Sequence, residues 1–190
     1  MCAVSAEHSM QLINFVFPLS VSTIFANIAM KKHILTSTYT EYSDDSELPG
    51  ADLELLKTAR TAAKSAYAPY SKFNVGAALK LENGIIVIGN NQENAAYPSG
   101  ICAERVAVFS AGANYPDFAV NAIAICCETE NKTGKPFSPC GACRQVLGEY
   151  ENRGGKPMRI ILGGMRGTSF ILNSVRDLLP LAFEGEILKK

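Results

Sequence analysis

Cys102-Ala103-Glu104 and Pro139-Cys140-Gly141-Ala142-Cys143 are the stretches of this chain whose residue types and spacing could do chemistry. Their three thiols can hold one zinc ion, and Glu104 stands beside them without being needed as a ligand. A structural zinc site usually closes its tetrahedron with protein groups, whereas a catalytic site keeps the fourth position for water. A fourth ligand of the usual kind is hard to find, because His8 and His33 both lie in the N-terminal tail. Zinc lowers the pKa of a bound water toward about 7. A carboxylate two residues from a ligand can take the released proton and return it to a leaving group, acting in turn as base and acid. The pattern points to metal-assisted hydrolysis with Glu104 as proton carrier.

Each of these residues also has a plainer reading. An isolated Cys-x-x-Cys serves as a redox pair as readily as a metal site, and a Glu in a helix's first turn is often a solvated residue facing the helix dipole. The combination weighs against both. Cys102 and Cys140 each open an expected helix, where the N-terminus stabilises thiolate charge. Three thiolates around a divalent ion leave net negative charge, which opposes ionisation of a bound water. Arg105 and Arg144 each directly follow a motif residue and are expected to relieve that charge by donating hydrogen bonds to sulfur. The alternative is a pair of surface arginines.

Composition narrows the partners. The 190 residues suffice for one domain with a real core. At 47% hydrophobic and 19% charged the mixture is that of a globular protein. Lys+Arg and Asp+Glu both number 18, so net charge is zero, without the basic excess of a protein that binds nucleic-acid backbones. The densest basic spots, Lys31-Lys32 and Lys189-Lys190, are both expected to be terminal. A small, diffusible substrate fits better than a polymer. Of the six cysteines, Cys126 and Cys127 lie in an apolar run where free thiols pack as small hydrophobes. A disulfide scaffold would be smaller and denser in cysteine, so a reducing, cytosolic compartment is expected.

The elements that must position the motifs begin near Ala51. Residues 1–50 read as an extension and linker outside the fold. The apolar stretch Leu12 to Ala29 is broken by polar residues and Pro18, which is poor for a membrane-spanning helix. No basic stretch precedes it as in a signal peptide, and no membrane partner is expected. Met30-Lys31-Lys32 resembles an ordinary protein start; a weak targeting segment or a packed helix are the alternatives. Tyr42 to Gly50, acidic and ending Pro-Gly, reads as linker. Beyond it, Leu53, Leu56, Arg60, Ala63 and Tyr67 recur at helical spacing up to Pro69. Asn74 to Leu81 and Ile85 to Ile88 read as strands around an Asn83-Gly84 turn. Helices are expected over Cys102 to Ala113, Cys140 to Tyr150 and Ser174 to Leu179. Strands are expected over Ala119 to Cys127, Arg159 to Leu162 and Ser169 to Leu172. Strands alternating with helices after a hairpin predict an α/β fold, a mixed sheet sandwiched by helices.

Four segments together carry a family resemblance: Phe73 to Ala78, Asn91 to Pro98, Gly100 to Arg105, and Ser138 to Gln145. They closely resemble the small, homotetrameric, zinc-dependent cytidine deaminases, over about residues 51 to 185. Cys at position 102 points to the tetrameric class, since the larger dimeric relatives carry His there. The resemblance implies a three-layer α/β/α fold with a five-stranded mixed sheet, one zinc per subunit, and hydrolysis of cytidine or 2'-deoxycytidine to the uridine product and ammonia. It assigns Cys102, Cys140 and Cys143 to zinc and Glu104 to proton transfer to the ring nitrogen and the leaving amine. It also implies that Asn91 and Glu93 bind the ribose hydroxyls and that Phe73 packs on the nucleoside. Ala95, Tyr97 and Phe183 are expected to reach a pocket completed by neighbouring subunits. The backbone of Ala103 is expected to hold the base carbonyl and that of Ser138 the amino group. Independently, an amide and a carboxylate two apart on an extended segment point the same way, which suits a diol. Phe73 and Phe183 could equally be plain core residues.

Three rivals remain at this level. One is a deaminase of another small amino-pyrimidine, such as a nucleoside antibiotic. The second, a nucleic-acid editing deaminase, is disfavoured by the zero net charge and by the Asn91/Glu93 pair. A non-catalytic zinc-stabilised module would need a fourth ligand and leaves Glu104 unexplained.

Overall fold

Side-chain alternation along the strands decides how this molecule is layered. The structure, a computed structural model, describes residues 30–128 and 135–188, and the fold belongs to the unit Leu35–Lys190. Strands β2 (Asn74–Leu81), β4 (Val120–Glu128) and β5 (Arg159–Gly164) form the centre of the sheet. Successive side chains on a strand point to opposite faces. Ala77, Leu79, Leu81, Ile123, Ile125, Ile160 and Leu162 therefore enter one core, while Ala78, Ala124, Cys126 and Ile161 enter the other. Helices α2 (Ala103–Asn114) and α3 (Gly141–Gly154) cover the first through Ala107, Val108 and Leu147. Helix α1 (Gly50–Ala63) covers the second through Leu55, Leu56 and Ala59. Each fully buried Leu or Ile contributes about 1.5–3 kcal/mol relative to exposure. The result is the expected three-layer α/β/α sandwich.

The sheet is mixed, with β4 and β5 parallel and the other neighbours antiparallel. It has six strands in the order β1-β6-β5-β4-β2-β3, where β3 is Ile86–Asn90 and β6 is Ser169–Leu172. Five were expected. The extra strand is β1 (Thr40–Tyr42), antiparallel to β6 with Glu41 opposite Phe170. It comes from the segment expected to lie outside the fold, and three residues are too short to show an alternation. The residues flanking β1 are also part of the structure. Tyr39 packs its ring on Phe170 at 4.7 Å between centroids. Leu48 is buried beside Leu55 and Leu56, and Arg60 forms a two-pronged contact with Asp45. An uncovered β6 edge would present a row of unpaired N–H and C=O groups; β1 occupies it. The expectations for Leu12 to Ala29 lie outside the described residues. No helix among the described residues is long and apolar enough to cross a membrane.

Helix α1 also stops earlier than its apolar spacing predicts. After Ala63 the chain tightens into a turn, and Tyr67 leaves the helix to pair its main chain with the segment after β3. The expected final helix over Ser174 to Leu179 is a single 3-10 turn, Val175–Asp177, which Ser174 caps.

Two glycines set how closely helices approach the sheet. At Gly76 a side-chain carbon would lie 2.1 Å from the carbonyl oxygen of Ala59 in α1. At Gly89 it would lie 2.4 Å from the carbonyl oxygen of Ala103 and 2.5 Å from the amide of Ala107 in α2. Backbone cannot move aside as a flexible side chain can, so even Ala forces a helix outward. Overpacking of this kind costs about 1–3 kcal/mol. Gly89→Ala and Gly76→Ala should both lower the melting temperature, but only Gly89→Ala should also lower zinc per folded chain, because it displaces the turn that carries Cys102. Equal zinc contents in the two purified variants would contradict this.

Candidate active site

Cys102 is the N-cap of α2 and Cys140 the N-cap of α3, with Cys143 in the first turn of α3. Both caps are extended, with φ of −76° and −66°, and the helices run away from a common point. The three Sγ atoms lie within 4.8 Å of one another, Cys102 and Cys140 at 3.9 Å. Zn–S bonds of about 2.3 Å in a tetrahedron place neighbouring sulfurs about 3.8 Å apart. The sulfur triangle thus fits one zinc ion held by Cys102, Cys140 and Cys143. Among the described residues no further His, Cys, Asp or Glu joins this cluster, which leaves a tetrahedral ion one position to fill.

Electrostatics at the thiols agree with that use. Cys102 is lowered to about 5, first by a hydrogen bond from the Cys143 thiol and then by the Arg105 guanidinium, whose Nη2 donates to its Sγ at 3.5 Å. Cys143 moves the opposite way, because its proton is held by the Cys102 thiolate. One negative charge is stabilised and the next is opposed. A divalent cation in place of those protons removes the conflict, since metal ligands must be deprotonated.

Glu104 follows Ala103 in the first turn of α2 and is only 5% exposed. Burial, and secondarily the charge of Cys102, raises its carboxyl above the usual carboxylate range. Raising a buried carboxyl's pKa strengthens it as a proton acceptor, which suits a group that must both take and return protons. Ala103 is fully buried at the first position of α2, where backbone N–H groups lack an intrahelical acceptor.

A cavity of about 430 Å³ opens beside these groups, within the range of small-ligand pockets. Cys102, Glu104, Arg105, Ser138 and Cys140 line it, as do Phe73, Asn91, Glu93 and Tyr97, with Val75, Ile125 and Cys127 from the sheet. Main-chain pairing ties the motif segments together. Gln92 exchanges both hydrogen bonds with Ile101 at 2.9 Å, and Tyr67 bonds Asn91 and Glu93 at 3.0 and 2.8 Å. The segment holding Asn91 and Glu93 is thereby fixed one residue from Cys102.

Asn91 and Glu93 each spend part of their capacity on the protein. Asn91 accepts from the Val75 amide at 2.8 Å and donates to the Phe73 carbonyl at 2.9 Å. Each end of the amide keeps room for one more partner. Glu93 accepts from the Ser71 hydroxyl and from the amides of Tyr70 and Ser71, which holds its carboxyl below the usual range. A carboxylate has about four acceptor sites, so one remains.

Other expected residues fall differently. Arg144 donates to the carbonyls of Pro139 at 2.8 Å and Leu178 at 2.9 Å, where a donor to sulfur was expected. It ties the loop before Cys140 to the turn after β6. Tyr97 is 77% exposed and Ala95 is exposed. Phe183, 57% exposed, lies beside Gln145, whose amide donates to its carbonyl. Ala95 and Phe183 do not line this cavity.

Sequence reasoning missed Phe137, Cys127 and Gln92 on the cavity wall. Burial pushes the Cys127 thiol up to about 12, which keeps it protonated and unreactive. An aromatic residue just before Ser138-Pro139-Cys140 was the available signal for Phe137; Gln92 acts through its backbone and left none.

Comparison with known proteins follows the same lines. A cytidine deaminase of Sporosarcina psychrophila is 43% identical over 135 residues, 71% of this chain and 93% of that protein. One from Halalkalibacterium halodurans is 41% identical over 132 residues, 70% of this chain and 93% of that protein. The crystal structure of cytidine deaminase from Burkholderia pseudomallei, 44% identical, covers 68% of this chain and 97% of that one with a TM-score of 0.58. The family described as the cytidine and deoxycytidylate deaminase zinc-binding region matches residues 50–154. The chain belongs to that family.

Proposed function

We propose that the protein is a zinc-dependent cytidine deaminase, converting cytidine or 2'-deoxycytidine and water to the uridine product and ammonia. The observation that carries this reading is that Cys102, Cys140, buried Glu104 and the Asn91/Glu93 pair all line one cavity. Zinc, when bound, supplies a Lewis acid that lowers the pKa of a water toward about 7. Glu104 takes the proton that this water sheds and passes it to the ring nitrogen as the C4–O bond forms. It then takes the remaining proton from the new C4 hydroxyl and gives it to the amine as the C4–N bond breaks and the C4 carbonyl forms, the ring nitrogen keeping the first. Low exposure keeps these protons from exchanging with bulk water. Arg105 offsets the thiolate charge at Cys102, and the first N–H of α2 at Ala103 is offered to the base carbonyl. Ser138 presents its backbone to the amine. Glu93 accepts from a sugar hydroxyl with its remaining acceptor site, the Asn91 amide donates to or accepts from one with its own, and Phe73 packs on the nucleoside.

The same reading places the enzyme in the reducing cytosol and in pyrimidine salvage. Exposed Tyr97 and Phe183 are assigned to contacts with neighbouring subunits of a homotetramer, whose mass sedimentation measures directly. Closed symmetry is the general expectation for such assemblies.

Two activity measurements test the assignment. Glu104→Gln should lose at least about 10²–10⁴ in kcat, the usual worth of a general acid–base group, while zinc per chain stays unchanged. Substantial residual turnover, or loss of the metal, would count against Glu104 as proton carrier. Cytidine should be deaminated far faster than cytosine, because a site built to pair hydroxyls rejects an analogue lacking them by about 10⁴-fold or more. Glu93→Ala should erode that preference. Equal efficiency on base and nucleoside would move the assignment to another amino-pyrimidine.

A further inference from the structure

Phe137 stands immediately before Ser138 and close to Cys140 in sequence, and its ring lies on the cavity wall. It meets Phe73 edge to face, with ring centroids 5.1 Å apart and planes at 89°. Phe73 stands at the entry to β2, and its carbonyl accepts from Asn91. The ring pair is therefore a side-chain contact between the wall that carries Ser138 and Cys140 and the wall that carries Asn91. Phe137 nevertheless keeps 39% exposure. A ring used only to hold the loop in place would be covered; this one has open surface facing a ligand-sized space. Perpendicular packing suits the ring quadrupoles and leaves the remaining faces free for another flat ring.

We infer that Phe137 is a specificity-determining contact, forming with Phe73 an aromatic corner that receives the flat ring of a pyrimidine nucleoside. The inference rests on the nucleoside reading of the site. The corner seats the base against the loop of Ser138 and Cys140, so it favours planar, unsaturated rings. Its contribution is to binding, since Phe137 carries no group that can move a proton.

Steady-state kinetics on the zinc-loaded full chain separates this role from a structural one. Phe137→Ala should raise KM for cytidine about tenfold, the worth of one aromatic contact, with kcat within about twofold and zinc per chain unchanged. Phe137→Tyr should restore KM. The chain contains no tryptophan, so Phe137→Trp combined with Glu104→Gln places a single indole in the corner, and its emission should change saturably as cytidine is added. An active parent whose Phe137→Ala variant keeps its KM, or an indole that does not respond to cytidine, overturns the assignment. A variant that loses zinc and kcat together would show that the ring only supports the loop, which also overturns it. A zinc-loaded parent idle on cytidine overturns the nucleoside reading and this assignment with it.

Discussion

Helices α2 and α3 begin at Cys102 and Cys140, and the sulfurs of those two residues lie 3.9 Å apart. Everything else in the site depends on that convergence. Two helix N-termini brought together concentrate partial positive charge and unpaired N–H donors, a combination that needs negative charge between them. Thiolates supply it, but three of them at this spacing repel one another. The Cys143 thiol and Arg105 stabilise a first thiolate at Cys102, and that same hydrogen bond, with burial and the neighbouring charge, opposes a second at Cys143. A divalent cation is the species that lets all three ionise.

The sheet holds this arrangement in place. One face of the sheet carries both helices, with α2 on β2 and β3, α3 on β4 and the two helices in contact, and Gly89 lets the first turns of α2 sit directly against β3. The pairing of Gln92 with Ile101 then fixes the Asn91–Glu93 segment relative to Cys102 through backbone bonds. The cysteines, Glu104 and the Asn91–Glu93 segment are positioned by main chain and not by long flexible side chains. Such rigidity lets positioning contribute to rate.

The sequence was most readable where one local signal governs the outcome. Strands β2 and β6 fall on their expected ends, because alternation and flanking turn residues agree there. The starts of α2 and α3 were legible from the motif residues themselves. Long-range pairing was not legible. Tyr67 continues the helical spacing of α1, yet its backbone gains more by bonding Asn91 and Glu93. Strand β1 exists because β6 presents an edge, a fact absent from the local sequence of Thr40 to Tyr42. Arg144 has the right address for a donor to sulfur, but two carbonyls lie within its reach. Phe137 belongs to no motif, and only the fold brings it to Phe73.

X-ray absorption at the zinc edge on the purified full chain tests the central claim most directly. Three sulfur neighbours near about 2.3 Å and one light-atom neighbour near about 2.0 Å are expected for an ion held by Cys102, Cys140 and Cys143 with its fourth position open. A shell of four sulfurs, or one with fewer than three, would contradict an open three-thiolate site.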